Sequence, residues 1–288
     1  MTKLLSNEKQ IDLMTQHPCF NDLAHNSVGR VHLPVAPLCN IQCNFCEHNI
    51  CATLTMQHPG WTAKLLSVKE AVDLVRSIVC FYKKVNFVVG IAGPGDPLAN
   101  TQTFETLRVI HKEFPQLLMC LSTNGLLLED KLEEIISVGI RGLTVTVNTV
   151  DSQVGQYIYS WVNYRGDIYC QEEAARLLIS KQFCGIKKAA DADLVIKVNT
   201  VFIPGVNDEQ MLKIARMAEG AGAKLMNIMP LIPMGGMRNR SAPTCIELKK
   251  KQQECEEIIP QFHHCEQCRA DVVYLPGLGL FPFSRRSD

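Results

Sequence analysis

Three cysteines fall within eight residues, Cys39-Asn-Ile-Gln-Cys43-Asn-Phe-Cys46, just after the apolar run "RVHLPVAPL". Thiolates are soft ligands, and a closed zinc site wants four donors, often supplied as CxxC pairs. The spacing here is CxxxCxxC, and no fourth Cys or His follows at a regular interval. Iron–sulfur clusters also take thiolates, one terminal ligand for each iron. Three cysteines on a four-iron cluster leave one iron free for a substrate or cofactor. A second group lies near the far end, where Cys265 and Cys268 form a CxxC pair. Alone, such a pair serves either zinc or dithiol redox chemistry. His263 and His264 would strain as further zinc ligands. Cys19 precedes the triad, Cys51 follows it closely, and Cys120 lies within an apolar segment. By residue type, Cys120 suits core packing as well as ligation. His25 and His32 are candidate nitrogen ligands that residue type leaves unassigned.

The composition limits what those thiols can be. Thirteen cysteines is an odd and high count, and the N-terminal "MTKLLSNEKQ" has no apolar signal core. We therefore expect a soluble cytoplasmic protein, where reducing conditions disfavour disulfides. No apolar run reaches membrane-spanning length, roughly 18 residues. Lys plus Arg and Asp plus Glu number 29 each. No net charge calls for nucleic acid or an anionic membrane as partner. The scattered Cys80, Cys170, Cys184, Cys245 and Cys255 are expected to pack as small hydrophobes.

Elements must hold these residues in place. Strand-like and helix-like segments alternate over residues 30–230. Strands are expected at "GRVHLPVAP" and at residues 85–91, 117–123, 142–148, 193–203 and 223–232. A capping box, Ser67 with Glu70, should start a helix whose inner face carries Ala71, Val75 and Ile78. A longer helical region is expected over 151–190, broken near "NYRGD". Asn207 or Asp208 should cap the helix after the fifth strand. Six strands joined by helices imply an α/β fold with a parallel sheet, either an open partial barrel or a doubly wound sheet. Ligands collect at the strand C-termini in both. Polar or glycine residues stand there after every strand: Gly93, Gly95 and Asp96; Thr123 and Asn124; Asn148 and Asp151; Asn199, Gly205 and Asn207; Asn227 and Met229. Each fits an ordinary turn. Their recurrence on one rim points to a site.

CxxxCxxC with an aromatic before its last cysteine, Phe45, resembles the motif of the radical S-adenosylmethionine enzymes. The resemblance implies a partial (βα)6 barrel. It also implies a four-iron cluster on Cys39, Cys43 and Cys46, whose open iron is chelated by the amino and carboxylate groups of S-adenosylmethionine. Reductive cleavage would then give methionine and a 5′-deoxyadenosyl radical. The stretch "AGPGDP" stands where the family brings backbone close to the methionine amino group. A side chain at Gly95 should then block the cofactor while sparing the cluster. "IPGVND" stands where the family packs against adenine. The implied cofactor contacts are Phe45, Gly93, Gly95, Asp96, Thr123, Asn124, Asn148, Asn199, Asn227 and Met229.

Within that superfamily, "HPCF", "HLPVAPLCNIQCNFC", "GIAGPGDPLAN", "LSTNGL", "IPGVNDE", "MNIMPLIP" and "CEQCRAD" resemble, in order, the nitrogenase cofactor maturases. The terminal CxxCRAD and the "MNIMPLIP" strand are the specific ones. The resemblance implies two auxiliary four-iron clusters, fused into an eight-iron core around a carbide derived from the S-adenosylmethionine methyl group. Their ligands would come from Cys19, Cys51, Cys120, Cys265 and Cys268, with His32 favoured over His25. It also implies cluster donors, a reductant protein and nitrogenase cofactor-assembly proteins as partners. Cluster-binding extensions are expected at 1–29 and 234–288 around a barrel at 30–233.

The stretch "EHNICATLTMQHPG" departs from that pattern. It lacks the Asn-Glu-Ser expected after its cysteine, and Cys51 stands one residue too near Cys46. Glu47 and His48 are candidate substitutes for the missing glutamate. The chain ends soon after CxxCRAD, without the carrier domain many relatives append, and the core reaction is expected to be retained. Two other readings stay open: a paralogue that serves a different nitrogenase-like reductase, and a cluster carrier without radical chemistry.

Overall fold

The computed structural model describes residues 10, 13–51, 53, 58–82, 86–277 and 279–281. The expected strand start at Val85 and part of the departing loop, residues 52 and 54–57, lie outside them. Eleven strands are formed among the described residues: β1 (Gly29–His32), β2 (Ile41–Cys43), β3 (Phe87–Ile91), β4 (Leu118–Thr123), β5 (Gly142–Thr146), β6 (Tyr159–Tyr164), β7 (Asp167–Cys170), β8 (Val195–Phe202), β9 (Leu225–Pro230), β10 (Val273–Leu275) and β11 (Gly279–Phe281). The main sheet runs β11-β10-β1-β3-β4-β5-β8-β9. Its six strands from β1 to β9 are all parallel, while β10 and β11 add antiparallel at the β1 edge. This is the expected partial (βα)6 barrel.

Helices cover its outer face. Helix Val68–Phe81 starts at the Ser67–Glu70 capping box and buries Ala71, Val72, Val75 and Ile78. Helices Thr101–Glu113 and Met211–Gly220 follow the same pattern against one core, while Gln171–Asp191 gives Ile186 and Ala189 to that core and Ala174, Ala175 and Leu178 to a second cluster. The apolar positions on these helices explain a correction. Of the five cysteines expected to pack, Cys255 is buried, but Cys80, Cys170, Cys184 and Cys245 are exposed. Cys80 and Cys184 fall between the inward positions of their helices, and Cys170 and Cys245 sit at helix starts.

A second correction concerns residues 151–190. The long helix starts only at Gln171. Before it comes a β-hairpin, β6–β7, turned by Arg165 (φ 56°) and Gly166 (φ 95°). Two left-handed residues in sequence make the tight turn that suits hairpin twist. The segment "YSWVNY" buries Tyr159, Val162 and Tyr164 and alternates over its second half. That period and its aromatic, β-branched content are strand signals.

The far end of the chain crosses the open side of the barrel. Gln261 bridges in parallel to Met226 on β9, and β10 then pairs with β1. Residues 262–272 thus run from the last barrel strand to the first. They carry Cys265 and Cys268 with them. None of the described helices is long and apolar enough to cross a membrane.

Candidate functional site

The triad sits on a loop held from three sides. Its middle is β2, which pairs with the hairpin: Ile41 opposite Val162, Gln42 opposite Trp161, Cys43 opposite Tyr159. The Asn44 side chain bonds the Tyr157 carbonyl and the Ser160 hydroxyl. Gln42 donates from Nε2 to the carbonyls of Cys43 and Cys46, both at 2.9 Å. From the second side, the turn after β9 presses on the loop. The Gly235 N–H donates to Glu47 Oε1 at 2.9 Å, and a Cβ there would meet the Asn44 carbonyl at 2.9 Å. The third side is the glycine-rich turn after β3. Gly95 N–H donates to the Ala36 carbonyl and Asp96 N–H to the Leu38 carbonyl. Asn100 closes both polar groups of Leu38, at 3.1 and 2.8 Å.

That turn revises one expectation. A Cβ on Gly95 would lie 2.1 Å from the Leu38 carbonyl oxygen and 2.9 Å from the Cys39 nitrogen. Gly95 is glycine because the cluster loop passes over it, so a side chain there would push Cys39 itself. Asp96 has a scaffolding role too. Its buried carboxylate accepts from Thr123 Oγ1 at 2.8 Å and from the N–H groups of Asn124 at 2.6 Å and Leu98 at 2.9 Å. It ties the ends of β3 and β4 together.

The three thiols open on one cavity, which also takes in Phe45, Gly95, Asp96, Thr123, Asn124 and Asn148. Burial drives the thiols toward their neutral form: Cys39 is pushed up to about 12, Cys43 well above its ordinary value, and Cys46 to about 11. Neighbouring Asp96 and Glu47 add to this for Cys39 and Cys46 respectively. Among the described residues no side-chain cation counters them there; Asn124 Nδ2 stands 3.9 Å from Cys39 Sγ. Three half-buried soft donors gathered on one cavity fit a metal cluster, which deprotonates the thiols it binds. The cavity wall also fits a polar ligand. Asn148 and Tyr159, each 1% exposed, line the cavity, and the Tyr159 hydroxyl lies against the Asn148 and Gln182 side chains. An amide and a phenol on a cavity wall offer a polar ligand both donors and acceptors. Tyr159 was not legible as a site residue because it fell in the stretch read as helix.

Deeper in the barrel a second group gathers. Cys19, Cys265 and Cys268 are electrostatic neighbours, and Cys120 is coupled to Cys19. Burial raises Cys19 and Cys120 and pushes Cys268 up to about 12. Gly90 lies between Cys120 and His32: a Cβ there would stand 3.2 Å from Cys120 Sγ and 3.4 Å from His32 Nε2. His32 Nδ1 donates to the Arg269 carbonyl at 3.0 Å. A carbonyl only accepts, so Nε2 carries the lone pair, the tautomer of a ligating histidine. Met229 belongs here and not to the first cavity; its sulfur lies 3.7 Å from Cys265 Sγ. Among the described residues no three His, Cys, Asp or Glu side chains converge tightly enough for a single metal ion.

The remaining candidates are placed elsewhere. Asn227 Nδ2 bonds Asn199 Oδ1 at 3.1 Å, and neither lines the triad cavity. Gly93 stays outside it as well, packed at positive φ against Gly60. His25 is turned toward the Pro18 carbonyl, Arg30 and Glu266. Cys51 is exposed on its loop. Of the two substitutes for the missing glutamate, Glu47 faces Gly235, whereas His48 lines the triad cavity. Asn207 bonds the carbonyls of Asn148 and Val201 and the Ile203 N–H. It locks the ends of β5 and β8 instead of capping a helix. Arg269 and Asp271 of the CxxCRAD stretch form a buried bidentate pair at 2.8 and 2.9 Å. Asp271 also accepts from the Ala63 N–H at 2.7 Å, which anchors the segment that carries the cysteines.

Comparison with known proteins matches this arrangement. Residues 33–218 match the Radical SAM superfamily. A radical SAM methyltransferase from Sphaerobacter thermophilus superposes with a TM-score of 0.56 at 18% identity, over 82% of this chain and 64% of that one. SuiB of Streptococcus suis does so with a TM-score of 0.59 at 11% identity, over 85% and 53%. These two share the fold. By sequence, the FeMo cofactor biosynthesis protein NifB of Methanocaldococcus infernus is 45% identical over 263 residues, 91% of this chain and 86% of that protein. NifB of Klebsiella pneumoniae is 39% identical over 273 residues, 92% of this chain and 58% of that protein. The chain therefore belongs to the NifB family of the radical SAM superfamily.

Proposed function

We propose that this protein uses S-adenosylmethionine to join two four-iron clusters and place a methyl-derived carbide among them, giving the eight-iron precursor of a nitrogenase cofactor. The observation that carries the reading is the pair of thiol groups on one barrel: a triad at the rim beside a cavity lined by polar groups, and a second, distributed set below it.

In this reading Cys39, Cys43 and Cys46 hold the resident cluster, which, when bound with S-adenosylmethionine and reduced, supplies a 5′-deoxyadenosyl radical. The chain does the rest by position. The hairpin, the Gly235 turn and the Gly95 turn fix the three sulfurs. Asn148 and Tyr159 offer hydrogen bonds to the cofactor's polar groups. Packing of Ile41, Val162 and Tyr159 under the loop keeps water away. The substrate clusters take Cys19, Cys265 and Cys268 on one side and Cys120 with His32 on the other. A neutral imidazole is a weaker donor than thiolate, which suits cargo that must depart. Cluster donors, a reductant protein and nitrogenase assembly proteins are its partners.

The test is the Cys265→Ala/Cys268→Ala variant beside the wild type, both reconstituted anaerobically. Wild type should yield 5′-deoxyadenosine and a product that activates cofactor-free nitrogenase. The variant should keep cleavage, lose that product entirely and hold less iron. Wild type that cleaves S-adenosylmethionine yet never activates nitrogenase would favour a paralogue for another reductase. The departing loop, with His48 at the cavity and Asn-Glu-Ser missing, is what supports that second reading.

A further inference from the structure

Lys197 is a buried cation in the wrong place for an ordinary core residue. It lies mid-barrel on β8, 3% exposed, where flanking positions carry valine and isoleucine. Its ammonium donates to the Cys19 carbonyl at 2.8 Å. It rests over the rings of Phe20 and Phe262, at 5.2 and 5.1 Å from their centroids. No carboxylate pairs with it among the described residues. The buried Arg30 and Arg269 differ in this respect, since they are bonded to Glu266 and Asp271, each at 2.8 Å. Burying an ammonium without a counter-ion is costly, and buried charges are normally paired or attend a metal centre. The groups in its field are Cys19 and Cys120, with neutral His17 beside them. Lys197 thus faces two half-buried thiols, and Arg30 adds a second positive charge on the Cys19 side.

We propose that Lys197 is the counter-charge for the iron–sulfur cargo held by the second group of thiols. It is a positioning residue: it touches a ligand's backbone, not a metal, and it biases the cargo's charge. Aromatic faces on two sides keep the ammonium from solvent and add cation–π attraction while the site is empty. A fixed positive charge stabilises the more negative, reduced state of a cluster and so raises its reduction potential. The inference rests on the reading that clusters occupy this group.

Lys197→Met keeps most of the side-chain volume and removes the charge; Lys197→Arg keeps the charge. Both should be made in the Cys39→Ala/Cys43→Ala/Cys46→Ala background, so that only the second group binds iron. Three readouts decide: iron and sulfide per chain at limiting iron, the midpoint potential by EPR titration, and the melting temperature with and without clusters. Lys197→Met should lose iron several-fold and shift the remaining signal to a more negative potential, while Lys197→Arg restores both. The cluster-free Met variant should melt no lower than its cluster-free parent, because an uncompensated charge has been removed. If Lys197 merely ties down the Cys19 backbone, the Met variant melts lower without clusters, and the potential does not move. Unchanged iron and unchanged potential overturn the proposal. A parent background that takes up no iron at all overturns the cluster reading itself, and this proposal with it.

Discussion

The two thiol groups are built in opposite ways. The triad occupies eight consecutive residues, and the structure spends its effort gripping that one loop: a hairpin pairs with it, a glycine turn lies under it, and Gly235 bears on it. The second group is assembled from five separate segments: the N-terminal turn at Cys19, β1 at His32, β4 at Cys120, β9 at Met229 and the crossing segment at Cys265 and Cys268. A compact motif on a clamped loop suits a cluster that stays. Donors drawn from several strands, one of them a neutral histidine, suit objects that arrive, change and leave. The contrast also assigns a mechanical role to the crossing segment, which supplies two donors and at the same time spans the open edge of the barrel.

The sharpest way to break the comparison is to remove the resident side alone. In Cys39→Ala/Cys43→Ala/Cys46→Ala we expect no detectable 5′-deoxyadenosine. Iron should fall by about one four-iron complement and not to zero, because the other donors lie elsewhere. Iron falling to zero, with the fold intact by circular dichroism, would show that the second group cannot fill independently.

The second side can be weakened without touching a thiol. Asp271 holds Arg269 by two bonds and the Ala63 N–H by a third. Asp271→Asn leaves a buried guanidinium short of its partner, a loss of about 3 kcal/mol by analogy with other buried pairs. Burial opposes ionisation of Asp271, but the Arg269 and Ala63 bonds outweigh it and hold the carboxyl below its ordinary value. A depressed carboxylate contributes stability above its unfolded value, near pH 3.9, and that contribution fades as pH falls through the lower folded value. The gap in urea midpoint between wild type and variant should therefore be flat near neutrality and close only in acid. Iron retention should suffer in the second group more than in the triad.

The comparison also explains what could be read from the amino-acid order. The triad, its glycine turn and the six parallel strands are local patterns, so spacing and periodicity expose them. The Ser67–Glu70 cap was legible for the same reason. The hairpin was missed because "YSWVNYRGDIYC" runs straight into a strong helix, and its aromatic alternation was absorbed into that helix. The second group depends on which strands neighbour each other. Nothing near Cys120 reveals that Gly90 leaves the space that brings it to His32. Lys197 carried no motif at all, and Met229 was read for the cofactor and not for the second group. Their meaning comes from the lumen they share. Cys80, Cys170, Cys184 and Cys245 show the converse error, since cysteine type alone does not fix burial.

Gly95 gives the finest test, because cofactor clearance and loop packing predict different losses from one methyl group. If glycine were needed only to admit the cofactor, Gly95→Ala would weaken S-adenosylmethionine binding and leave the triad's iron untouched. The added Cβ would instead overlap the Leu38 carbonyl and crowd the Cys39 nitrogen, both backbone atoms that cannot swing aside. The loop must lift, stretching the bonds of Gly95 N–H to Ala36 and of Asp96 N–H to Leu38. Overpacking of this kind costs about 1–3 kcal/mol. We expect iron in the triad and cofactor affinity to fall together, by similar factors, with a lower melting temperature. The second group should keep its iron, since none of its donors lies on the lifted loop. Equilibrium binding of S-adenosylmethionine, measured against iron per chain at several loadings, separates the outcomes. Affinity that falls at full triad occupancy would return Gly95 to the cofactor side.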